Sequence, residues 1–402
     1  MRMSERRIYQ DKSFAIHVTF AGEDQLHLVA SVEDKHADPA STCAAIYRRV
    51  VEILGQSGMQ VVHERIFGSI HVHPTVIAAR RDVMRERDPG RSEPITFIEG
   101  HPLWGSGFAG IQIQAIRPSS PDSGVWTIHD DDVPCGRGWK RKGATFLALQ
   151  NILGPRKNRA GAKSRQMQAE RMFERADRIL RTQGATYRNV VRTWIYLSNI
   201  LAWYGEFNAV RNAQYRQFGL LPDLSENTAA EPHRLPASTG IGGDNLLGAA
   251  CVMDLLAVVG HAAHQPQVAL LTNVKQDDAF HYGSAFSRGS CVQEPDVTHI
   301  QISGTAAVDE RGKSLFVGDL RDQILRTIEN VESLLAPQGA TLEDICSATV
   351  FVKRAEDVPV FRQVAAERGL ADLPAVCVLA DICREELLFE IDGVAAVGKP
   401  EK

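Results

Sequence analysis

Near its C-terminal end the chain reads DICREELLFEID, residues 381–392, in which Glu390 stands among Leu388, Phe389 and Ile391 and follows Cys383 by seven residues. A carboxyl group set among apolar neighbours resists ionisation, because burial desolvates its charged form. Kept protonated near neutral pH, it can serve as a general acid, even toward a carbon atom. The same residues allow a second reading, an alternating strand that turns Glu390 and Asp392 to water. Cys383, taken by itself, reads as a small buried apolar residue. Cations that could hold an anionic substrate are Arg192, Arg211, Arg288 and Arg354, with Arg384 beside the thiol. Each alone also fits a surface ion pair. Tyr282 could hydrogen-bond a carboxylate or pack as a core aromatic. Gly304 and Thr305, in ISGTA, could offer donors at a cleft floor or form a strand-end turn.

A repeat positions these residues. Residues 169–199 and 320–354 each read as an amphipathic helix, the tetrapeptide QGAT, a short polar turn and a strand. Leu320, Ile324, Ile328, Val331 and Leu335 mark one helical face, and the QGAT glycine follows as a C-cap. A second helix comes next, at 207–220 and 360–370, then a strand entry, LPAST (235–239) or LPAVC (373–377). The closing strands are GAACVMDLLAVVG (248–260) and LLFEIDGVAAVG (387–398); the former carries Asp254, so the repeat itself does not require Glu390. A weaker third copy runs over 41–70 and closes with FAGIQIQAI (108–116). The expectation is three units, 13–118, 125–262 and 268–400, each an opening hairpin followed by helix, strand, helix and strand. PSSPDSG (118–124) and HAAHQPQ (261–267) read as linkers, and the polar tract 220–234 as a loop in the middle unit.

Bulk properties exclude several classes. The net charge of −4 sets up no global field for nucleic acid. The basic run Arg156, Lys157, Arg159, Lys163 and Arg165 reads as a solvated loop. Seven scattered cysteines without a CxxC pair fit reduced thiols and a cytoplasmic location. Neither an apolar leader nor a membrane-length apolar run is visible. STGIGGDN (238–245) lacks the lysine of a P-loop and reads as a turn beside the cleft. HVHP (71–74) reads as an exposed strand end, and GHAAH (260–264) falls in a linker; neither has a third metal ligand at a known spacing. No metal or cofactor is expected.

The order ISGTAAVDERG, GDLRDQILRTIENVESLLAPQGATLEDI, TVFVK, LPA and FEIDGVA across residues 300–397 resembles the Rid/YjgF family, also called chorismate-mutase-like. The resemblance implies an α+β fold, three tandem units with mixed sheets and helices on one face, forming an intramolecular pseudotrimer with clefts between units. The chain itself could be a monomer or a higher homo-oligomer. Rid imine deaminases carry an arginine just after LPA; here Val376 and Ser238 stand there, which argues against ordinary imine hydrolysis. A narrower resemblance, over about residues 165–397, is to the chorismatases, carried by RTWIYLSNI (192–200), EFNAVR (206–211), LPASTGIGG (235–243), YGSAFSR (282–288), ISGTAAV (302–308) and DICREELLFEID. It implies a cofactor-independent enzyme that releases pyruvate from chorismate or a related enolpyruvyl acid. Glu390 would be the acid and Cys383 the residue marking the hydroxybenzoate-forming branch. Arg192, Arg211, Arg288, Arg354, Tyr282, Gly304 and Thr305 would hold a small anionic substrate. Another Rid-fold hydrolase or deaminase, or a non-catalytic ligand-binding scaffold, remain the alternatives.

Overall fold

The computed structural model describes residues 4–87, 94–118, 124–154, 157–158, 161–162, 164–222, 234–261 and 266–399. Three large sheets follow one another along the chain, with a two-residue ladder between Lys157–Asn158 and Gly161–Ala162 beside them. The first is built from β1 (Ser4–Gln10), β2 (Phe14–Ala21), β3 (Gln25–Val32), β4 (Gln60–Gly68), β5 (Thr96–Glu99) and β6 (Phe108–Ile116). The second has β7 (Trp126–Asp130), β8 (Val133–Arg141), β9 (Ala144–Ile152), β10 (Val190–Leu197), β11 (Ala237–Gly242) and β12 (Cys251–Gly260). The third has β13 (Gln267–Leu271), β14 (Gly289–Gln293), β15 (Val297–Ala306), β16 (Ile345–Val352), β17 (Ala375–Leu379) and β18 (Phe389–Gly398). The strand orders are β1-β2-β3-β6-β4-β5, β7-β8-β9-β12-β10-β11 and β13-β14-β15-β18-β16-β17, one topology three times.

In each unit the last strand enters between the third and fourth and runs antiparallel to both. The fourth and fifth strands are parallel, and a parallel pair needs a crossover. The second helix of each unit supplies it. The helices are α1 (Pro39–Ser57), α2 (His73–Arg87), α3 (Arg165–Thr182), α4 (Tyr204–Gln217), α5 (Leu320–Leu335) and α6 (Val358–Glu367).

Local chemistry sets the helix ends. Asp38, Ser164 and Asp319 cap α1, α3 and α5 by accepting from the backbone N–H of Ser41, Met167 and Asp322. The QGAT signal becomes a defined turn. Gly184 and Gly339 take left-handed φ of 71° and 70°, and Thr186 and Thr341 then form capping boxes with Asn189 and Asp344.

Each sheet covers one face with its own two helices. In the third unit Ile324, Ile328, Val331 and Leu335 of α5 pack on Ile300, Val350 and Ile391. The opposite faces meet in a shared core that joins Val62 and Phe67 to Trp139, Phe146 and Trp194 and to Val292 and Phe351. Burying a side chain of that size contributes about 1.5–3 kcal/mol. Because side chains alternate along a strand, Phe389 and Ile391 face the helices and Glu390 and Asp392 face the junction between units.

Arg141 ties the three units together. Its Nη2 donates to Asp24 Oδ1 at 2.7 Å and to Asp296 Oδ2 at 2.7 Å, and its Nη1 donates to Glu294 Oε2. Glu294 also accepts from Gln25 Nε2 at 3.1 Å and pairs with His299 at 3.3 Å. Burial pushes Glu294 up, but His299 and Arg141 outweigh it and hold the carboxyl below its ordinary range.

Several expectations are corrected. The first sheet begins at Ser4, ahead of residue 13, because the polar stretch SERRIYQ pairs as an edge strand with β2. HVHP is not a strand end: Ile70–Val72 form a single 3-10 turn and α2 starts at His73, where Pro74 suits a first turn. STGIGGDN is largely the strand β11 rather than a turn. His101 and Pro102 of the first unit extend the third sheet by pairing with β17. Most of both linkers, of the loop 220–234 and of the basic run lies outside the described residues. Among the described residues no helix is long and apolar enough to cross a membrane.

Candidate active site between the second and third units

The junction of the second and third units gathers charge. Arg192, on β10, is fully buried; its Nη2 donates to Thr239 Oγ1 at 2.6 Å and to Asp392 Oδ2 at 3.1 Å. Thr239, on the neighbouring β11, donates its own hydroxyl to the same Asp392 oxygen at 2.7 Å. The guanidinium lies over Trp194, 4.8 Å from the ring centroid. Its Nε and Nη1 are buried without a partner among the described residues, as is Asp392 Oδ1. Burial pushes Arg192 down to about 10, against the pull of Asp392, so it remains cationic at neutral pH.

Glu390 stands two residues before Asp392 on the same strand face. It is 4 % exposed, and what acts on its carboxyl is burial and neighbouring charge rather than a hydrogen bond. Burial first, and Asp392 second, push its pKa up to about 8, against Arg192 and Arg288. The carboxyl is therefore mostly protonated at neutral pH. It has room because residue 304 is glycine. A Cβ there would lie inside the van der Waals shell of Glu390 Oε1 and 3.3 Å from Thr239 Cγ2.

Glu390 opens into a cavity of about 150 Å3 lined by Tyr204 and Asn208 of the second unit and by Phe286, Arg288, Gly304 and Cys383 of the third, among others. The Nε of Arg288 donates to Asp277 O at 2.7 Å, and its guanidinium lies 5.6 Å from the Phe286 centroid. Burial pushes the Cys383 thiol up to about 12, and Glu390 adds to it, so the group stays a thiol rather than a thiolate. Gln323 of α5 fixes the approach to β18: its Oε1 accepts from Leu388 N at 2.8 Å and its Nε2 donates to Glu386 O at 2.9 Å.

Strand register shows how far the three junctions differ. Asp392 lies opposite Thr349, Asp254 opposite Trp194 and Gln112 opposite Arg65, each on the fourth strand of its own unit. Two residues earlier stand Glu390, Val252 and Gly110. Between the first and second units, Asp254 accepts from Thr96 Oγ1 at 2.6 Å and pairs with His63 at 3.0 Å. Between the third and first, Gln112 donates to Ala348 O at 2.6 Å. The anchoring pattern recurs, but of these three positions only that of the third unit carries the protonated acid.

Of the sequence candidates, Glu390, Cys383, Arg288, Arg384 and Gly304 share one cavity; Arg192 is not in its lining, but its charge and that of Asp392 act on Glu390. Thr305 does not line the cavity, because its hydroxyl donates to Ser303 O at 2.8 Å. Arg211 stacks between Phe207 and Phe286, 5.6 and 5.3 Å from their centroids, and donates to Asn208 at 2.7 Å, so it braces the wall. Arg354 is exposed at the N-cap of a 3-10 turn, away from the cavity, because β16 ends before it. The Tyr282 side chain lies outside the described residues. Sequence reasoning missed Tyr204, Asn208, Thr239 and Asp392. Residues 204, 208 and 211 share a helix face at spacings of four and three, a signal that was available in YGEFNAVR. Among the described residues, no group of three or more His, Cys, Asp and Glu side chains could hold a metal ion.

Residues 286–397 match the family described as Endoribonuclease L-PSP. The chain is 31 % identical over 234 residues to a chorismatase of Streptomyces hygroscopicus, covering 54 % of this chain and 64 % of that protein. It is 28 % identical over 230 residues to a 3-hydroxybenzoate synthase of the same organism, covering 52 % and 64 %. It thus spans just under two thirds of the length of these curated relatives. A solved chorismatase structure superposes with a TM-score of 0.57 at 20 % identity, covering 83 % of this chain and 92 % of that one, a likeness of fold.

Proposed function

We propose that this chain, whose C-terminal unit belongs to the Rid/YjgF family, releases pyruvate from chorismate or a closely related enolpyruvyl cyclohexadiene acid. The observation that carries the reading is the protonated Glu390 facing a cavity beside a buried arginine that has unused donors. The names of the chorismatase and 3-hydroxybenzoate synthase relatives support it.

Chorismate carries two carboxylates and an enolpyruvyl ether. Glu390 gives its proton to the terminal vinyl carbon, and the ether oxygen shares the cation that forms. Arg288, on the cavity wall, and the free N–H groups of Arg192 are the donors for the substrate carboxylates. The Glu390 carboxylate left behind stabilises the cation until it is captured. If the neighbouring ring hydroxyl displaces the ether oxygen from its ring carbon, that C–O bond breaks with its electron pair forming the carbonyl of pyruvate, and the ring loses a C–H proton as it aromatises to a hydroxybenzoate; a proton returns to Glu390 and no net water is consumed. If water adds instead, pyruvate leaves with a dihydroxycyclohexadiene acid, and one water is consumed. Cys383, an uncharged thiol against the acid, occupies space that a water molecule would otherwise use, and we assign the hydroxybenzoate branch on that ground.

Purified protein mixed with chorismate should release pyruvate, one for each chorismate lost, together with a hydroxybenzoate seen by its ultraviolet absorbance. Release of pyruvate with a dihydroxylated diene would overturn the branch and keep the acid. No pyruvate would overturn the reading. Gly304→Ala should lower turnover at least about tenfold with an unchanged circular dichroism spectrum, since the added methyl drives Glu390 from its place and one ångström of misplacement is costly. Full activity in that variant would contradict the acid's placement.

A further inference from the structure

We propose that a cavity between the helices and the sheet of the third unit is a second small-molecule site, for a mainly apolar compound carrying one hydrogen-bonding oxygen. It encloses about 470 Å3, within the range of roughly 300–1,000 Å3 typical of small-molecule sites. It lies on the far side of β18 from Glu390. Phe389 and Ile391, which alternate with the two acids, form part of its wall. Ile328 of α5 and Phe361 of α6 close the helix side, and Trp104 and His17 of the first unit close the end.

The lining is apolar apart from a few groups, and one of those is unsatisfied. His17 is 7 % exposed and its Nδ1 is buried without a hydrogen-bond partner among the described residues. An unmade buried hydrogen bond costs about 1–3 kcal/mol, and a ligand hydroxyl or carboxyl in the cavity would recover part of it. Burial, and then Arg6 nearby, push His17 down, so at neutral pH the ring is an uncharged partner. Arg362 and Glu33 stand at the rim with opposite charges, so the mouth selects no strong net charge. The ligand this geometry takes has an apolar body among Ile328, Phe361 and Phe389 and an oxygen on His17. The site shares no lining residue with the cavity that holds Glu390, so it stands whether or not the proposed reaction does.

1-Octanol is a suitable probe, with the fluorescence of Trp104 and calorimetry as readouts. Saturable binding to one site is expected, with a Kd below about 1 mM. His17→Phe should weaken it about fivefold, the worth of one hydrogen bond. Ala365→Phe, which fills the space, should weaken it at least about tenfold. Ala371→Trp, at the exposed rim, serves the same purpose without disturbing the core if the first variant does not fold. No saturable binding up to about 1 mM, or binding unchanged in every folded variant, overturns the proposal.

Discussion

Glu390→Gln should lower kcat for pyruvate release by about 10²–10⁴-fold, the usual weight of a general acid, while the fold and substrate binding persist. The parent protein should hold its activity through neutral pH and lose it above about 8, where the carboxyl ionises. The variant's residual rate should lack that basic limb. The same group leaves a mark on stability. Its pKa is raised from an ordinary 4.5 to about 8 on folding, so the folded state binds the proton more tightly than the unfolded chain does. The favourable contribution is complete below the unfolded pKa and is lost as pH rises through the folded one. Denaturation midpoints of the parent should therefore fall between about pH 5 and 8 relative to those of Glu390→Gln, in which that slope is absent. A variant with parental kcat and a parental pH profile would remove Glu390 from the chemistry.

The second large effect concerns assembly of the pseudotrimer. Arg141→Met should cost about 3–5 kcal/mol in chemical denaturation, the weight of a buried ion pair broken from one side. It leaves Glu294, which is almost fully buried, without the guanidinium that donates to it and removes the link from Asp24 to Asp296. Adding Glu294→Gln to Arg141→Met should restore part of the loss, because the unpaired charge is gone. A loss below about 1 kcal/mol in the single variant would mean that the apolar junction holds the units without the clamp.

Much of this architecture is legible in the sequence. The helix face of α5, both QGAT turns and the closing strands carry local signals, which short-range patterns report well. The copy in the first unit is weaker, and its opening strand β1 lies ahead of the expected start, because an edge strand of charged residues has no apolar alternation to read. The candidate site was legible only in part, for a physical reason. Glu390 sits in a sheet covered on both faces, so the in-and-out pattern that tells a wet face from a dry one is lost. The sequence left both readings open, and packing of one unit on the next excludes the wet face. Arg192 and Asp392 are 200 residues apart, and nothing local joins them. Arg354 shows the converse: it resembled a cleft residue by motif position, yet the strand before it ends at the surface.

The most direct measurement is the fate of the proton. Chorismate turned over by the protein in D2O should yield pyruvate whose methyl group carries a single deuterium, read by NMR before slow exchange adds more, and Glu390→Gln should yield almost no pyruvate over the same interval. Pyruvate released without deuterium, or released as fast by Glu390→Gln, would contradict protonation of the vinyl carbon by Glu390.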